Sequence, residues 1–594
     1  MSPRSKGWSS TPASVRRWPW YGYESFTPVA YYNTSTSINQ SNVTRNDAWL
    51  INWNVENTIS YNRSLGGHNV TLLGGWGEYK DGNARTATVV YNNTPATTFD
   101  QATFNTGVYN ALPADRQNSN ATDGTDHRVN SLFGRLQYNY QEKYLLQALV
   151  RRDGSSRFGG NKKFGNFPSV SIGWVPTLEN FFPQTNILNN LKIRASYGVT
   201  GQDLITPDFA FIPVVGAGGQ RNYSFGTTGT VNIGYAPNAP ANPILAWETT
   251  KSTDVGFDAI LFNALTFSFD AYQKTTTGIL ENPVLPGYAG YGSFAQNLGE
   301  MQNKGLEFEL GYKRKIGELT LGVNGNISFY QNKLTKGLLG QAYLDDNSAT
   351  FQNLGGIART QIGGPYNQFY GYKYLGIFQT QAEVDGYVGK DGATKLQPKA
   401  RPGDLKIANL QNDNTIDAND RTYIGNPNPT VSYGLTINLA YKNFDFVAFG
   451  SGSGGNQIFQ GLRRLDIGTA NYLTKYLNAW TPTNTSSKLP RIIDGDPGQS
   501  YSRFTNLYLE SGNYFKMRTI QIGYTLPKSL TTKWGCQRLR AYFLVENPFT
   551  ITKYDGFDPE IGISPDAGAG SMFGVDRGTY VPARSFLFGV NVGF

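Results

Sequence analysis

A chain of 594 residues is too long for one ordinary soluble core, and at 16% charged residues against 39% hydrophobic it is too poorly charged for a typical soluble surface. Its net charge of +9, from 52 basic and 43 acidic residues, is scattered and forms no arm or patch, which argues against nucleic acid as a partner. No apolar run reaches the roughly eighteen residues of a membrane helix; the lone Cys536 forms no internal disulfide, and His68 and His127 alone leave little scope for zinc or histidine catalysis.

Residues 1–20 carry Arg4, Lys6, Arg16 and Arg17 among prolines and tryptophans, with no apolar stretch before a cleavage site. This is not a secretory signal peptide, so the native start is expected upstream. From there onward, period-two segments recur. Leu265, Phe267, Phe269 and Ala271 face one way, and Thr266, Ser268, Asp270 and Tyr272 the other. Leu306, Phe308, Leu310 and Tyr312 alternate with Glu307, Glu309 and Gly311; Leu321, Val323, Ile327 and Phe329 with Thr320, Asn324, Asn326 and Ser328. Leu435, Ile437, Leu439 and Tyr441 repeat the pattern, as do Ile520, Ile522 and Tyr524. With many such strands and no helices to cover their apolar faces, lipid is the economical neighbour. A soluble sandwich or propeller is the alternative, and the lack of a blade-length repeat counts against it.

Short connections at Asn263, Ile316–Gly317 and Lys442–Asn443 contrast with long ones near 81–126, 201–247, 334–365, 456–512 and 549–582. That asymmetry suits a transmembrane antiparallel β-barrel with short periplasmic turns and long outer loops. About sixteen strands are expected, and alternation of direction demands one more between 334 and 427. The chain ends in Phe586, Phe588, Val590, Val592 and Phe594 on one face, with Ser585, Gly589, Asn591 and Gly593 opposite and Leu587 as the exception. Such a strand, with a terminal aromatic, is expected to close a barrel.

Several segments together resemble the SusC-like (SusC/RagA-type) branch of the TonB-dependent outer-membrane transporters of Bacteroidetes. They are Asp153–Gly159, Phe167–Trp174, Leu191–Gly201, Trp247–Phe257, Asn297–Glu307, Gly425–Leu435, Gly512–Pro527, Tyr554–Glu560 and Pro582–Phe594. The resemblance runs from about Phe26 to the end. It implies a β-barrel portion over residues 24–594, with residues 1–23 unassigned as a non-native start. It implies a larger barrel of twenty-two strands, so that signal peptide, plug, TonB-contacting segment and first strands are missing here. The implied role is active import of oligosaccharides or peptides across the bacterial outer membrane, with a SusD-like surface lipoprotein and the TonB complex as partners. A plugless passive pore and a non-transporting fragment are the alternatives; no enzyme is expected.

Asn409, Gln411, Asp413, Thr415, Asp417 and Asp420 are spaced as a calcium loop, in which alternate residues offer hard oxygens from one side. Asn409 lacks a charge and Gln411 is long for its position, so an Asx-rich turn is the competing interpretation. Gly450 to Gly455 could be taken for a nucleotide loop, but no helical pattern follows. Glu307 and Glu309 read as solvated wall residues and not as a glycosidase pair. Tyr223, Phe225, Tyr288 and Tyr291 could stack on sugars or simply pack loops. No other cofactor is expected, and the substrate-binding residues are not legible.

Overall fold

The computed structural model describes the chain except residues 1–6, 34–35, 83, 95, 103–119, 123, 184, 206–207, 214, 218–221, 225–228, 230, 238, 284–293, 338–342, 346–351, 353, 466, 468–469, 563–572 and 579. Sixteen strands form one antiparallel sheet in which sheet order follows chain order. They are β1 (Gly7–Arg17), β2 (Asn52–Leu65), β3 (His68–Gly82), β4 (Asp126–Tyr140), β5 (Tyr144–Ser155), β6 (Phe164–Trp174), β7 (Leu188–Gln202) and β8 (Glu248–Leu261). The series continues with β9 (Leu265–Glu281), β10 (Gln296–Ile316), β11 (Leu319–Lys336), β12 (Val431–Tyr441), β13 (Phe444–Gly454), β14 (Tyr514–Thr525), β15 (Arg538–Thr552) and β16 (Ser585–Gly593). No helix among the described residues is long and apolar enough to cross a membrane.

The tightest connections share one end of the sheet and the longest share the other. The turns at 66–67, 141–143, 262–264, 317–318 and 442–443 are tight, and 175–187 and 526–537 share their end of the sheet. Gly66 and Gly67, like Phe262 and Asn263, take positive φ, the geometry whose twist matches that of the flanking strands. The other end carries 18–51, 83–125, 203–247, 337–430, 455–513 and 553–584, with the shorter 156–163 and 282–295.

One expectation is corrected. Among the described residues no further strand of the sixteen-stranded sheet lies between β11 and β12, which pair directly, Phe329 opposite Val431 and Leu319 opposite Tyr441. The connection therefore runs to 430, well past the expected 365. The short strands in it belong to separate small sheets, one of Tyr343–Asp345, Ala358–Gln361, Gln368–Tyr372 and Arg421–Gly425, another of Tyr374–Ile377 with Leu405–Ile407. The direction count closes with the strands observed. Residues 7–17, unassigned from sequence, pair along their length with β2, Gly7 opposite Asn62 and Arg17 opposite Asn52. Pro12 lies in this strand, at one end of the sheet order, where a missing donor costs the ladder least.

The chain divides into two compact units, one of Met1–Ile172, Tyr197–Lys251 and Gly278–Asn297, the other of Gly173–Ser196, Ser252–Thr277 and Leu298–Phe594. In the first, Phe158, Ile205, Leu245 and Ala295 form a buried cluster that Trp247 and Phe211 cover. Trp247 meets Phe158 at 5.5 Å and Phe167 at 5.3 Å between ring centroids. Gly201 is required beside them, because a Cβ there would lie 2.2 Å from Phe167. In the second unit the long connections build their own core of Phe369, Phe459, Phe504, Tyr501 and Tyr508. A parallel pairing of Phe459–Gln460 with Val575–Asp576 joins two of those connections.

Candidate functional site

Strands such as β10, β11, β15 and β16 each have one apolar and one polar face. On β10 and β11, the pairs Leu306–Phe329, Phe308–Ile327 and Tyr312–Val323 share the first, while Glu307–Ser328 and Glu309–Asn326 share the second. On β15 and β16, Phe543 pairs with Phe588 and Val545 with Phe586. Phe586, Phe588, Val590, Val592 and Phe594 are all exposed, at 65%, 73%, 50%, 45% and 84%. An apolar face so open to its surroundings is what lipid contact requires. Behind it Gly589 sits under the Tyr542 ring, where any Cβ would come within 2.3 Å.

The polar faces carry charge in compensated groups. Arg194 on β7 is forked between Asp258 (Nε to Oδ2, 3.2 Å) and Asp270 (Nη2 to Oδ2, 2.6 Å), with Asp254 at 3.5 Å. Arg540 pairs with Asp445 through Nε at 2.9 Å. Lys516, nearly buried, donates to Asp558 at 2.6 Å. Beside it the Arg518 guanidinium is bidentate to Glu560, at 2.8 and 2.6 Å. The last two contacts tie the connection between β15 and β16 to the wall at β14. They fall in the segments Gly512–Pro527 and Tyr554–Glu560 on which the family resemblance partly rested.

A second tether involves the connection after β7. His127 Nε2 faces both Asp203 Oδ2, at 2.7 Å, and Ser155 Oγ, at 3.2 Å. One nitrogen meeting both partners is a latch and not the relay of a nucleophilic triad, which uses the two ring nitrogens separately. Arg157 Nε donates to Asp208 at 2.6 Å. Burial tends to raise the Asp203 and Asp208 pKa values, yet both are lowered overall, by His127 and Ser155 for the first and Thr125 and Arg157 for the second.

The residues spaced as a calcium loop do come together, and they bond to one another. Asp420 is fully buried and accepts from the amides of Leu410 (2.7 Å) and Gln411 (3.1 Å) on Oδ1 and of Asp417 (2.9 Å) on Oδ2. Asp413 Oδ1 accepts from Thr415 N at 2.9 Å, and Asp417 Oδ1 from Asn419 N at 2.7 Å. Asn409 Nδ2 donates to the Asp413 carbonyl at 2.7 Å, and the Gln411 amide to Asn419 O at 3.0 Å. The described residues hold no group of three or more acidic, histidine or cysteine side chains placed for a metal ion. The donor set does not fit calcium in this arrangement; it is a turn closed by its own amides. Gln411, Asp413 and Asn419 also wall a polar cavity of about 570 Å³ with Tyr343, Arg359 and Arg421. There the Arg359 guanidinium lies between the rings of Tyr343 and Tyr370, at 3.7 and 3.8 Å.

Gly450 and Gly452 are strand residues of β13 packed under Phe515 and Tyr433, so the glycine run serves aromatic packing. Tyr223 is exposed on a short edge strand; Phe225, Tyr288 and Tyr291 lie outside the described residues.

Against known proteins, residues 4–442 match the family described as TonB dependent receptor-like, beta-barrel. The chain belongs to this family. TonB-dependent receptor P3 of Formosa agariphila is 34% identical over 557 residues, spanning 91% of this chain and 52% of the relative. TonB-dependent receptor SusC of Bacteroides thetaiotaomicron is 28% identical, spanning 79% and 44%. The chain thus spans about half the length of the curated relatives it matches. The structure of the RagAB peptide transporter superposes with a TM-score of 0.79 at 21% identity, covering all of this chain and 60% of that one, which shows a shared fold. The fold is therefore that of a TonB-dependent receptor barrel, and the protein is an outer-membrane protein of SusC type.

Proposed function

We propose that this chain is the barrel portion of an active importer that takes up oligosaccharides or peptides under a SusD-like lipoprotein, with energy delivered through TonB. The observation that supports this most directly is the asymmetry of the sheet. Every tight turn lies at one end, and at the other end the long connections build their own cored, tethered structure of the kind a capturing surface needs. The polar strand faces, lined by compensated charges such as Arg194 with Asp258 and Asp270, suit a wet passage. The likeness to SusC and to the RagAB fold supports the same reading. In it, the strand Ser585–Gly593 closes the barrel, and cargo crosses without chemical change.

Uptake of fluorescent oligosaccharides and of peptides, measured in cells with the gene intact or disrupted and with TonB present or removed, tests this. Loss of uptake of one cargo class on either deletion is expected. Uptake that survives TonB removal would replace active import by a passive pore. Uptake indifferent to the gene itself would overturn transport.

A further inference from the structure

The apolar face of β8 to β11 changes character abruptly toward the long-connection end. Tyr312–Val323, Phe308–Ile327 and Leu306–Phe329 are apolar pairs; the next two levels on the same face are Lys304–Gln331 and Gln302–Lys333. At this boundary lies a shallow groove of about 640 Å³. Its lower part is formed by Ala271, Leu306 and Phe329, and its upper part by Gln273, Lys304 and Gln331. Small Ala271 leaves room between the larger side chains. Neither Lys304 nor Lys333 makes an ion pair with a described residue. Glu300, further along the same strand, is held by Lys336 at 2.9 Å and by the Thr335 hydroxyl at 2.8 Å, so it does not neutralise them.

An apolar floor capped by cations and carboxamides has the chemistry of a lipid site. The floor accepts an acyl chain, the lysines reach a phosphate, and the amides hydrogen-bond hydroxyl groups. The long connections mark the outer side of the membrane. We propose that this groove holds a phosphorylated glycolipid of the outer leaflet, its phosphate against Lys304 at the groove and Lys333 one level beyond it, and its sugar hydroxyls against Gln273 and Gln331 at the groove and Gln302 beyond it. The inference rests on the outward orientation of this face in the membrane and is independent of what cargo the protein carries.

The test uses the full chain, purified in a heat-modifiable form and placed in phosphatidylcholine nanodiscs containing either lipid A or phosphatidylglycerol, with retained lipid read by native mass spectrometry. Retention of lipid A is expected, with a loss of at least about fivefold in K304Q/K333Q and recovery in K304R/K333R. Retention should also weaken on raising salt from about 0.05 to 0.5 M, a measurement on the unaltered protein. Equal retention in the glutamine variant, indifference to salt, or phosphatidylglycerol held as well as lipid A would each overturn the proposal.

Discussion

Arg518 and Glu560 meet in a two-pronged ion pair, Nη1 to Oε2 at 2.8 Å and Nη2 to Oε1 at 2.6 Å, that fastens a long connection to the strand wall. Such a fork fixes direction as well as distance. Lys516 adds a third contact to Glu560 at 3.3 Å.

The pair makes the attachment pH-dependent. The Arg518 hydrogen bonds, more than the opposing burial, hold the Glu560 carboxyl below its ordinary 4.5. A depressed folded-state value means the contribution is complete above 4.5 and is lost as pH falls through the lowered value. Protease cleavage within 553–584 should therefore be slow at neutral pH and rise below about pH 4.5. E560Q should cleave rapidly at all pH values. Equal cleavage rates for the two proteins at pH 7 would show that the pair does not hold the connection.

The outer structure between β11 and β14 has its own anchor. Asp404 is fully buried, takes Arg491 Nε at 2.7 Å and Nη2 at 3.1 Å, and accepts the Arg401 amide at 2.8 Å. Removing one member of such a pair strands the other, at a cost on the order of 3 kcal/mol. D404A should accordingly unfold the connections 337–430 and 455–513 while leaving the strands intact. The expected signature is hydrogen exchange that rises there and stays low in β12 to β15. A variant with unchanged exchange in those connections would contradict it.

The strands were legible because lipid enforces period two on residues such as Phe586 to Phe594 and Leu306 to Tyr312. The terminal tethers were half legible: Gly512–Pro527 and Tyr554–Glu560 stood out as family segments, but nothing in either said that Arg518 grips Glu560. Residues 337–430 misled because the count of strand directions demanded one more wall strand there. Their short strands, such as Gln368–Tyr372, pair only within small separate sheets, which tertiary pairing alone reveals. The first strand went unseen because Gly7–Arg17 carries a proline, serines and arginines in place of a clean apolar face. His127 gave no signal beyond its rarity, since Asp203 and Ser155 are distant in sequence.

Gly452 belongs to a glycine run that lies within a strand and packs under aromatic rings. A Cβ there would lie 2.2 Å from the Tyr514 carbonyl and 2.8 Å from the Tyr433 ring. That carbonyl also accepts the Tyr433 hydroxyl at 2.9 Å. G452A should force β13 from β14 and cost about 1–3 kcal/mol, read as a lower temperature for conversion of the folded to the unfolded gel species. Gly455 sits just past β13 at a φ of +81°, and a Cβ there would lie 1.9 Å from the Thr430 hydroxyl oxygen, so G455A should also be costly. Tolerance of G452A with full heat resistance would mean the strand can shift without loss.

The Asn409–Asp420 loop poses a choice between a calcium site and a turn closed by its own amides. If its oxygens waited for calcium, a chelator would loosen the loop and millimolar calcium would raise its stability. Asp420 instead spends both oxygens on three backbone amides, and Asp413 and Asp417 each accept one more. Chelation should therefore leave the melting temperature unchanged. D420A should be costly without any metal, because it leaves the Leu410, Gln411 and Asp417 amides buried without their acceptor, at about 1–3 kcal/mol in all. D420N keeps the size but only one good acceptor and should fall between. Calorimetry of the three proteins with and without calcium separates the two accounts. A stability gain on adding calcium to the unaltered chain, absent in D420N, would restore the metal and refute the amide-closed turn.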